Sequence, residues 1–193
     1  DRLITDISDA SRLDAELARG EAQAFDLSQL LESITSFAND TRKEGQAEVE
    51  FEMAKPPAGM DRARAYTVMG QDSRLGQVVR NLIDNARSFT RPGTKLNVRV
   101  RRIGPDVEFR VDDFGPGIPA DNLQRVFERF YTDRPEGSFG SNSGLGLSIS
   151  QQIVDAHKGR IWAENRYGKP DETGEKPVLG ARFVVRIPAA SDA

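Results

Sequence analysis

Three short stretches of this chain hold residues whose types and spacing could do chemistry. The first is Asn-Leu-Ile-Asp-Asn-Ala (81–86), with Asn81 and Asn85 one helical turn apart. Asn is a poor helix former, so two of them mid-helix call for a compensating role. An uncharged amide oxygen suits Mg²⁺, which takes few protein ligands and leaves the rest to phosphate and water. The plainer reading is an ordinary solvated helix face. The second stretch is Val-Asp-Asp-Phe-Gly-Pro-Gly-Ile-Pro (111–119). A buried carboxylate at a strand end, Asp113, can accept a hydrogen bond from an exocyclic amine such as that of adenine. Gly115 and Gly117 would let the backbone approach a base closely. The plainer reading here is a turn that needs glycine. The third stretch is Ser-Gly-Leu-Gly-Leu-Ser-Ile-Ser (143–150), where glycines open a helix. Backbone amides at such a helix start form an anion site suited to phosphate, or simply a flexible cap.

The elements that must position these groups are legible from periodicity. Leu75, Val78, Val79, Leu82, Ile83 and Ala86 form one buried helix face over 75–88, with Gln77, Asn81, Asn85 and Ser88 on a second stripe. Asp26-Leu27-Ser28 followed by Leu30, Leu31, Ile34, Phe37 and Ala38 reads as a capped helix. Val49 and Phe51 mark a half-buried strand, and 66–69 another. Residues 96–103 and 107–111 alternate as a strand pair joined at Gly104-Pro105. The long Gly/Pro/Ser/Asn-rich region 114–143 carries one short helix around 122–130, and loops that long are often functional. A helix over 145–157, a strand at 160–164, a polar hairpin loop at 166–180 and a strand at 181–187 complete the pattern. The expected fold is a two-layer α/β sandwich, with helices on one face of a mixed, largely antiparallel sheet. Residues 1–20 carry Leu3, Ile7, Ala10, Leu13 and Leu17 as one apolar helix stripe, ending at Gly20.

Composition excludes several classes. The 193 residues carry 27 basic and 30 acidic side chains, net −3, so no basic field points to nucleic acid. No run approaches the roughly 18 apolar residues of a membrane span. Cysteine is absent, which removes disulfides and thiolate metal sites and fits a reducing compartment. Asp113-Phe114-Gly115 spells the protein-kinase metal motif, but its companion motifs are missing. Gly115 to Ala120 satisfies the dinucleotide fingerprint formally, yet Pro119 and the polar residues after it make a poor helix start. No P-loop is present.

In this order the three stretches resemble the N, G1 and G2 boxes of the sensor histidine kinase ATP-binding domain, a member of the GHKL/Bergerat group. Val-Phe-Glu-Arg-Phe-Tyr (126–131) is similar to that family's F box. On Glu-Arg-Phe-Tyr-Thr-Asp-Arg-Pro (128–135) the wording is most similar to the alphaproteobacterial ChvG/ExoS type of membrane sensor kinase. The resemblance implies a Bergerat fold over 21–193, preceded at 1–20 by the end of a dimerisation and phosphoacceptor hairpin. It implies ATP or ADP with Mg²⁺ as ligands, Asn85 as the metal ligand, and Asn81 as a catalytic polar partner of phosphates or metal. Around the nucleotide it places Phe89, Asp113, Gly115, Gly117, Ile118, Ser143, Gly144, Leu145, Gly146 and Leu147. Phe127 and Phe130 would anchor a lid over 131–143. The reaction implied is transfer of the γ-phosphoryl of ATP to a histidine upstream of Asp1, then to an aspartate of a response regulator. The full kinase would be a homodimer at the inner membrane, with this portion in the cytoplasm and no nucleic acid as partner.

The sequence also departs from the family pattern. Ser88 and Thr132 stand where cations are common, and Asn142 replaces the first glycine of the G2 box. Arg87, Arg91 and Arg134 lie close enough in sequence to take over. His157, the only histidine, sits at a helix end before Lys158-Gly159, where an imidazole can bond free carbonyls. It reads as structural and not as the acceptor. One rival is a gyrase- or Hsp90-like ATPase clamp, in which a Glu base precedes the metal Asn by four residues. Asn81 holds that position, and an amide cannot take a proton from water. A second rival is a non-catalytic nucleotide-binding module.

Overall fold

The computed structural model describes residues 15, 17, 19–91, 93–131 and 144–190. Of the N-terminal stripe only Leu17 lies within that set; it packs partly buried against the core. The expectations for Leu3, Ile7, Ala10 and Leu13 fall outside it.

The elements run β1 (Gln23–Asp26), α1 (Leu27–Asp40), β2 (Glu48–Met53), α2 (Arg62–Tyr66), β3 (Thr67–Gly70) and α3 (Asp72–Phe89). They continue with β4 (Lys95–Ile103), β5 (Asp106–Asp112), α4 (Gly146–Ala156), β6 (Arg160–Tyr167) and β7 (Val178–Pro188). Five strands form one sheet in the order β2-β4-β5-β7-β6, parallel only between β2 and β4. The expected open sandwich is therefore present, with one addition. β1 and β3 pair antiparallel as a separate two-stranded sheet, and Val68 bridges to Ala189 at the end of β7.

Alternation along the strands decides the layers. Leu96, Val98 and Val100, then Val107, Phe109 and Val111, then Phe183, Val185 and Ile187, are all buried. The intervening residues include Arg99, Arg101, Glu108, Arg110, Arg182 and Arg186. A strand period of two sends one set toward the helices and the other to the open face. Glu108 is buried on that outer face because Arg101 and Arg186 cover it, at 2.6 Å each.

Helix α3 is the central helix and packs on both α1 and α4. All six residues of its expected apolar face are buried, to 1 % exposure or less. Burying each aliphatic side chain contributes about 1.5–3 kcal/mol, so this face holds the helix where it is. Helix α1 starts as expected: Asp26 accepts from the Ser28 amide at 2.8 Å and the Gln29 amide at 3.2 Å.

Four expectations need correction. Phe37, assigned to the buried face of α1, is 65 % exposed, because the buried line runs through Leu27, Leu31, Ile34 and Ala38 and leaves Phe37 on its flank. Tyr66 closes the Asp61-capped α2, so the strand starts one residue later, at Thr67. The helix expected around 122–130 is two 3₁₀ turns, Ala120–Asn122 and Arg125–Phe127; Glu128 breaks out into extended backbone. The loop assigned to 166–180 is shorter, since β6 extends to Tyr167 and β7 begins at Val178.

Candidate functional site

The candidate site lies where α3, the β5 exit and the start of α4 meet. Asp113 follows directly on β5 and is 3 % exposed. Its own amide donates to the Ala181 carbonyl at 3.0 Å, continuing the ladder one residue past the strand. Its Oδ1 accepts from the amides of Ala181 at 2.8 Å and Gly115 at 2.9 Å. Its Oδ2 accepts no hydrogen bond among the described residues. Burial pushes this carboxyl above its ordinary value of 3.8, against the pull of those two amides. One oxygen thus has two donors, and the other has none among the described residues. An amine on a flat base has the chemistry to fill it.

The turn after Asp113 is shaped by close approaches. A Cβ on Gly115 would lie 2.8 Å from the Phe89 carbonyl oxygen, and Gly117 has a positive φ of 81°. Gly180 matters as much, since a Cβ there would come within 2.1 Å of the Asp113 carbonyl oxygen. The Phe114 amide donates to Thr90 Oγ1 at 3.3 Å, tying the turn to the C-terminus of α3. Phe89 and Phe114 are each 38 % exposed and border the opening. Ile118 is partly buried, and Asn165 holds it by both backbone groups: the Ile118 amide donates to Asn165 Oδ1 at 2.8 Å, and Asn165 Nδ2 donates to the Ile118 carbonyl at 2.7 Å.

On α3 the two asparagines have different tasks. Asn81 Nδ2 donates to the Gly146 carbonyl at 3.1 Å and to Ser150 Oγ at 3.3 Å. It therefore fastens the start of α4 to the middle of α3. The half-buried Asn85 side chain makes no hydrogen bond among the described residues, so its amide oxygen is open for a ligand. At the start of α4, Gly146 and Leu147 begin the helix after Leu145, with no side-chain cap. Their amides have no partner among the described residues and, at the positive end of the helix dipole, have the character of an anion site. Gly144, at φ 71°, accepts from the Phe130 amide at 3.2 Å, which joins the 126–131 stretch to the start of α4. Ser143 lies outside the described residues, as does most of the expected lid.

Phe127 is buried and meets Phe183 edge-on, with centroids 6.2 Å apart. Phe130 is 42 % exposed and carries a positive φ of 63°, so only the first of this pair is core. Of the three arginines that could replace the absent cations, Arg87 is otherwise engaged: it donates to the carbonyls of Ala47 at 3.2 Å and Ala38 at 2.8 Å. Arg91 is exposed, and Arg134 is outside the described residues. His157 is bonded at both ring nitrogens. Nε2 accepts from the Gln71 amide at 3.0 Å, and Nδ1 lies 2.7 Å from the Ile153 carbonyl oxygen, which makes Nδ1 the protonated nitrogen. It joins the end of α4 to the start of α3.

Sequence reasoning missed Thr90, Asn165, Arg166, Gly180 and Ala181. A signal was available for two of them: Gly180-Ala181 opens the last apolar strand, where a glycine marks a close backbone approach.

A buried, half-satisfied carboxylate, a turn of close-packed glycines, an amide side chain with no partner among the described residues and a helix start without a side-chain cap lie on α3, the β5 exit and α4. They define a nucleotide-binding ATPase domain of the Bergerat type. The chain belongs to the family of histidine kinase-, DNA gyrase B- and HSP90-like ATPases, whose profile matches residues 70–191. Sensor protein ChvG of Rhizobium meliloti (strain 1021) is 47% identical over 193 residues, covering 98% of this chain and 32% of that protein. Sensor protein ChvG of Agrobacterium fabrum (strain C58) is 46% identical, covering 98% and 31%. The chain thus spans about a third of the length of these curated relatives. Among solved structures, a nucleotide-free catalytic domain of histidine kinase ThkA superposes with a TM-score of 0.68 at 27% identity, covering 88% of this chain and 96% of that one. ThkA in complex with the response regulator protein TrrA gives 0.67 at 25% identity, covering 98% and 48%. No described helix is long and apolar enough to cross a membrane.

Proposed function

We propose that this domain binds Mg·ATP and is the catalytic portion of a two-component sensor histidine kinase. The observation that carries the reading is Asp113, buried, with Oδ1 saturated by two amides and Oδ2 open. Asp113 accepts from the adenine amine, Gly115, Gly117 and Ile118 admit the ring, and Phe89 flanks it. The amides of Gly144, Leu145, Gly146 and Leu147, with Ser143, receive the phosphates. Asn85 would hold Mg²⁺ through its amide oxygen, and the metal would supply charge neutralisation at the phosphates. Asn81 acts by holding the phosphate-binding helix start against α3. The protein's task is then positioning and charge stabilisation, which is most of what phosphoryl transfer asks.

Residues 1–20 are read as belonging to a dimerisation hairpin whose other helix carries the acceptor histidine, within a homodimeric membrane sensor. A response regulator receives the phosphoryl group. Three observations favour transfer over hydrolysis by a clamp ATPase. Asn81 stands where a general base would be needed, its amide nitrogen is committed to Gly146 and Ser150, and the ChvG sensor proteins match over nearly the whole chain.

The test has two parts. Calorimetry with ADP and Mg²⁺ is expected to show binding, and no binding at millimolar nucleotide would end the reading. Labelled ATP is expected to leave this chain unlabelled, and to label a histidine once the upstream hairpin is restored. Acid-labile label that disappears in His157→Gln would instead make His157 the acceptor.

A further inference from the structure

Two consecutive residues of β6, Asn165 and Arg166, grip the Asp113–Ile118 turn at its two ends. At one end Arg166 Nη1 donates to the Asp113 carbonyl at 2.6 Å. At the other, Asn165 pairs with the amide and the carbonyl of Ile118, as a strand neighbour would. The Arg166 guanidinium also lies over the Phe114 ring, 4.4 Å from its centroid. Its Nε is 3.4 Å from Asp112 Oδ2, and Arg182 anchors that carboxylate through Nε at 2.6 Å and Nη2 at 2.8 Å. The Arg166 side chain is only 15% exposed. This is more fixation than a surface turn needs.

Neighbouring residues of a regular strand point to opposite faces, so two of them reaching one turn is unusual. The β6–β7 pairing is regular through Arg166 and shifts only beyond it, so it is the turn that passes within reach of both side chains. The consequence falls on Asp113. Its carboxylate can aim Oδ2 only as well as its own backbone is held. Arg166 holds the carbonyl, while Ala181 holds the amide and Oδ1.

On the adenine reading of Asp113 given above, we infer that Arg166 and Asn165 are positioning residues that set base selectivity by fixing the aim of Asp113 Oδ2. Adenine presents a donor to that oxygen and guanine an acceptor at the equivalent place. The cost of guanine therefore depends on the carboxylate being unable to turn away.

The experiment compares ADP and GDP binding to the 1–193 chain and to Arg166→Ala, Arg166→Lys and Asn165→Ser, each with a thermal melt. The unmodified chain should prefer ADP. Arg166→Ala should narrow the ADP/GDP ratio by roughly tenfold, through weaker ADP binding from a misaligned hydrogen bond to a charged group together with relief of the GDP penalty. Arg166→Lys, which can still donate to the Asp113 carbonyl, should recover part of the ratio. Asn165→Ser, which cannot bracket both Ile118 groups, should narrow it less than Arg166→Ala. A ratio unchanged in Arg166→Ala, or a loss shared equally by ADP and GDP and matched by the fall in melting temperature, would overturn the inference and leave the adenine reading standing. Absence of ADP preference in the unmodified chain would instead remove the reading on which it rests.

Discussion

The two ends of the candidate site are built in contrasting ways. Around Asp113 the groups are clamped by the sheet: Ala181, Arg166, Asn165 and Gly180 all come from β6 and β7 and close on one turn. Around Asn85 and Gly146 the described groups are left open, with an amide side chain that has no partner and a helix start without a side-chain cap. Among the described residues, Asn81 ties that end together through Gly146 and Ser150, and the Phe130 amide holds Gly144. The difference matches two chemical tasks. Recognising a flat, neutral base needs fixed direction, because a hydrogen bond weakens steeply off-axis. Holding a charged phosphate and a metal needs open donors and acceptors whose partners arrive with the ligand.

The contrast can be broken from beneath. Leu82 lies fully buried on α3, between Asn81 and the Asn85 turn. Leu82→Ala should cost about 2–5 kcal/mol of stability, as core truncations do, and should weaken both ends together. Urea unfolding with nucleotide titration of the surviving folded fraction checks this, and loss at one end alone would contradict the shared floor.

Glycine substitutions sharpen the contrast. In Gly180→Ala the new Cβ would sit 2.1 Å from the Asp113 carbonyl oxygen, whereas in Gly146→Ala it would meet Asn81 atoms only at 3.7 Å and beyond. The first change should lower adenine-nucleotide affinity by roughly tenfold or more, through overpacking of the clamp. The second should leave stability within about 0.5 kcal/mol and lower affinity less than the first. Isothermal titration of both variants, beside their melting curves, decides. Equal effects would mean that the two ends are equally tight.

A smaller effect is expected from pH. Burial raises the Asp113 carboxyl above 3.8, so in the window between 3.8 and the raised value the folded domain holds a proton that the unfolded chain has lost. The ligand-free domain should therefore gain stability as pH falls through that window and lose it as pH rises. Adenine affinity should move the opposite way, falling on acidification, because a proton on Oδ2 removes the acceptor. Calorimetric titrations across this range, beside Asp113→Asn as the variant without the titration, test both signs.

Much of this contrast was legible in the sequence, but unevenly. Asn85, Asp113 and Gly115 stand in local patterns, a helix stripe and a Gly-Pro-Gly turn, whose spacing alone shows what the backbone must do. The clamp was not legible, because its bonds join residues about 50–70 positions apart, such as Asp113 with Arg166 and Ala181. Arg166 was assigned to a polar loop, since nothing local marks a charged residue as the brace of a distant carbonyl. Phe37 and Phe130 show the converse. Both are apolar at helix-like spacing, yet both are exposed, because periodicity reports a face and not what covers it. Arg87 failed as a replacement cation for a similar reason: adjacency along the chain put it near Ser88, but its position on α3 carries it to the carbonyls of Ala38 in α1 and Ala47 before β2.

The central claim is that one end of the site reads the base and the other acts through the metal. Titrating ADP into Asp113→Ala and Asn85→Ala, each with magnesium and with chelator, tests it most directly. Asp113→Ala should lose roughly 10- to 100-fold in affinity in both conditions, the worth of a charge-assisted hydrogen bond of about 1.5–3 kcal/mol. Asn85→Ala should bind as the unmodified chain does in chelator and lose only the increment that magnesium adds. Melting temperatures close to that of the unmodified chain would show that both variants are folded. A magnesium increment that survives in Asn85→Ala, or normal binding by Asp113→Ala, would contradict the division of labour between the two ends.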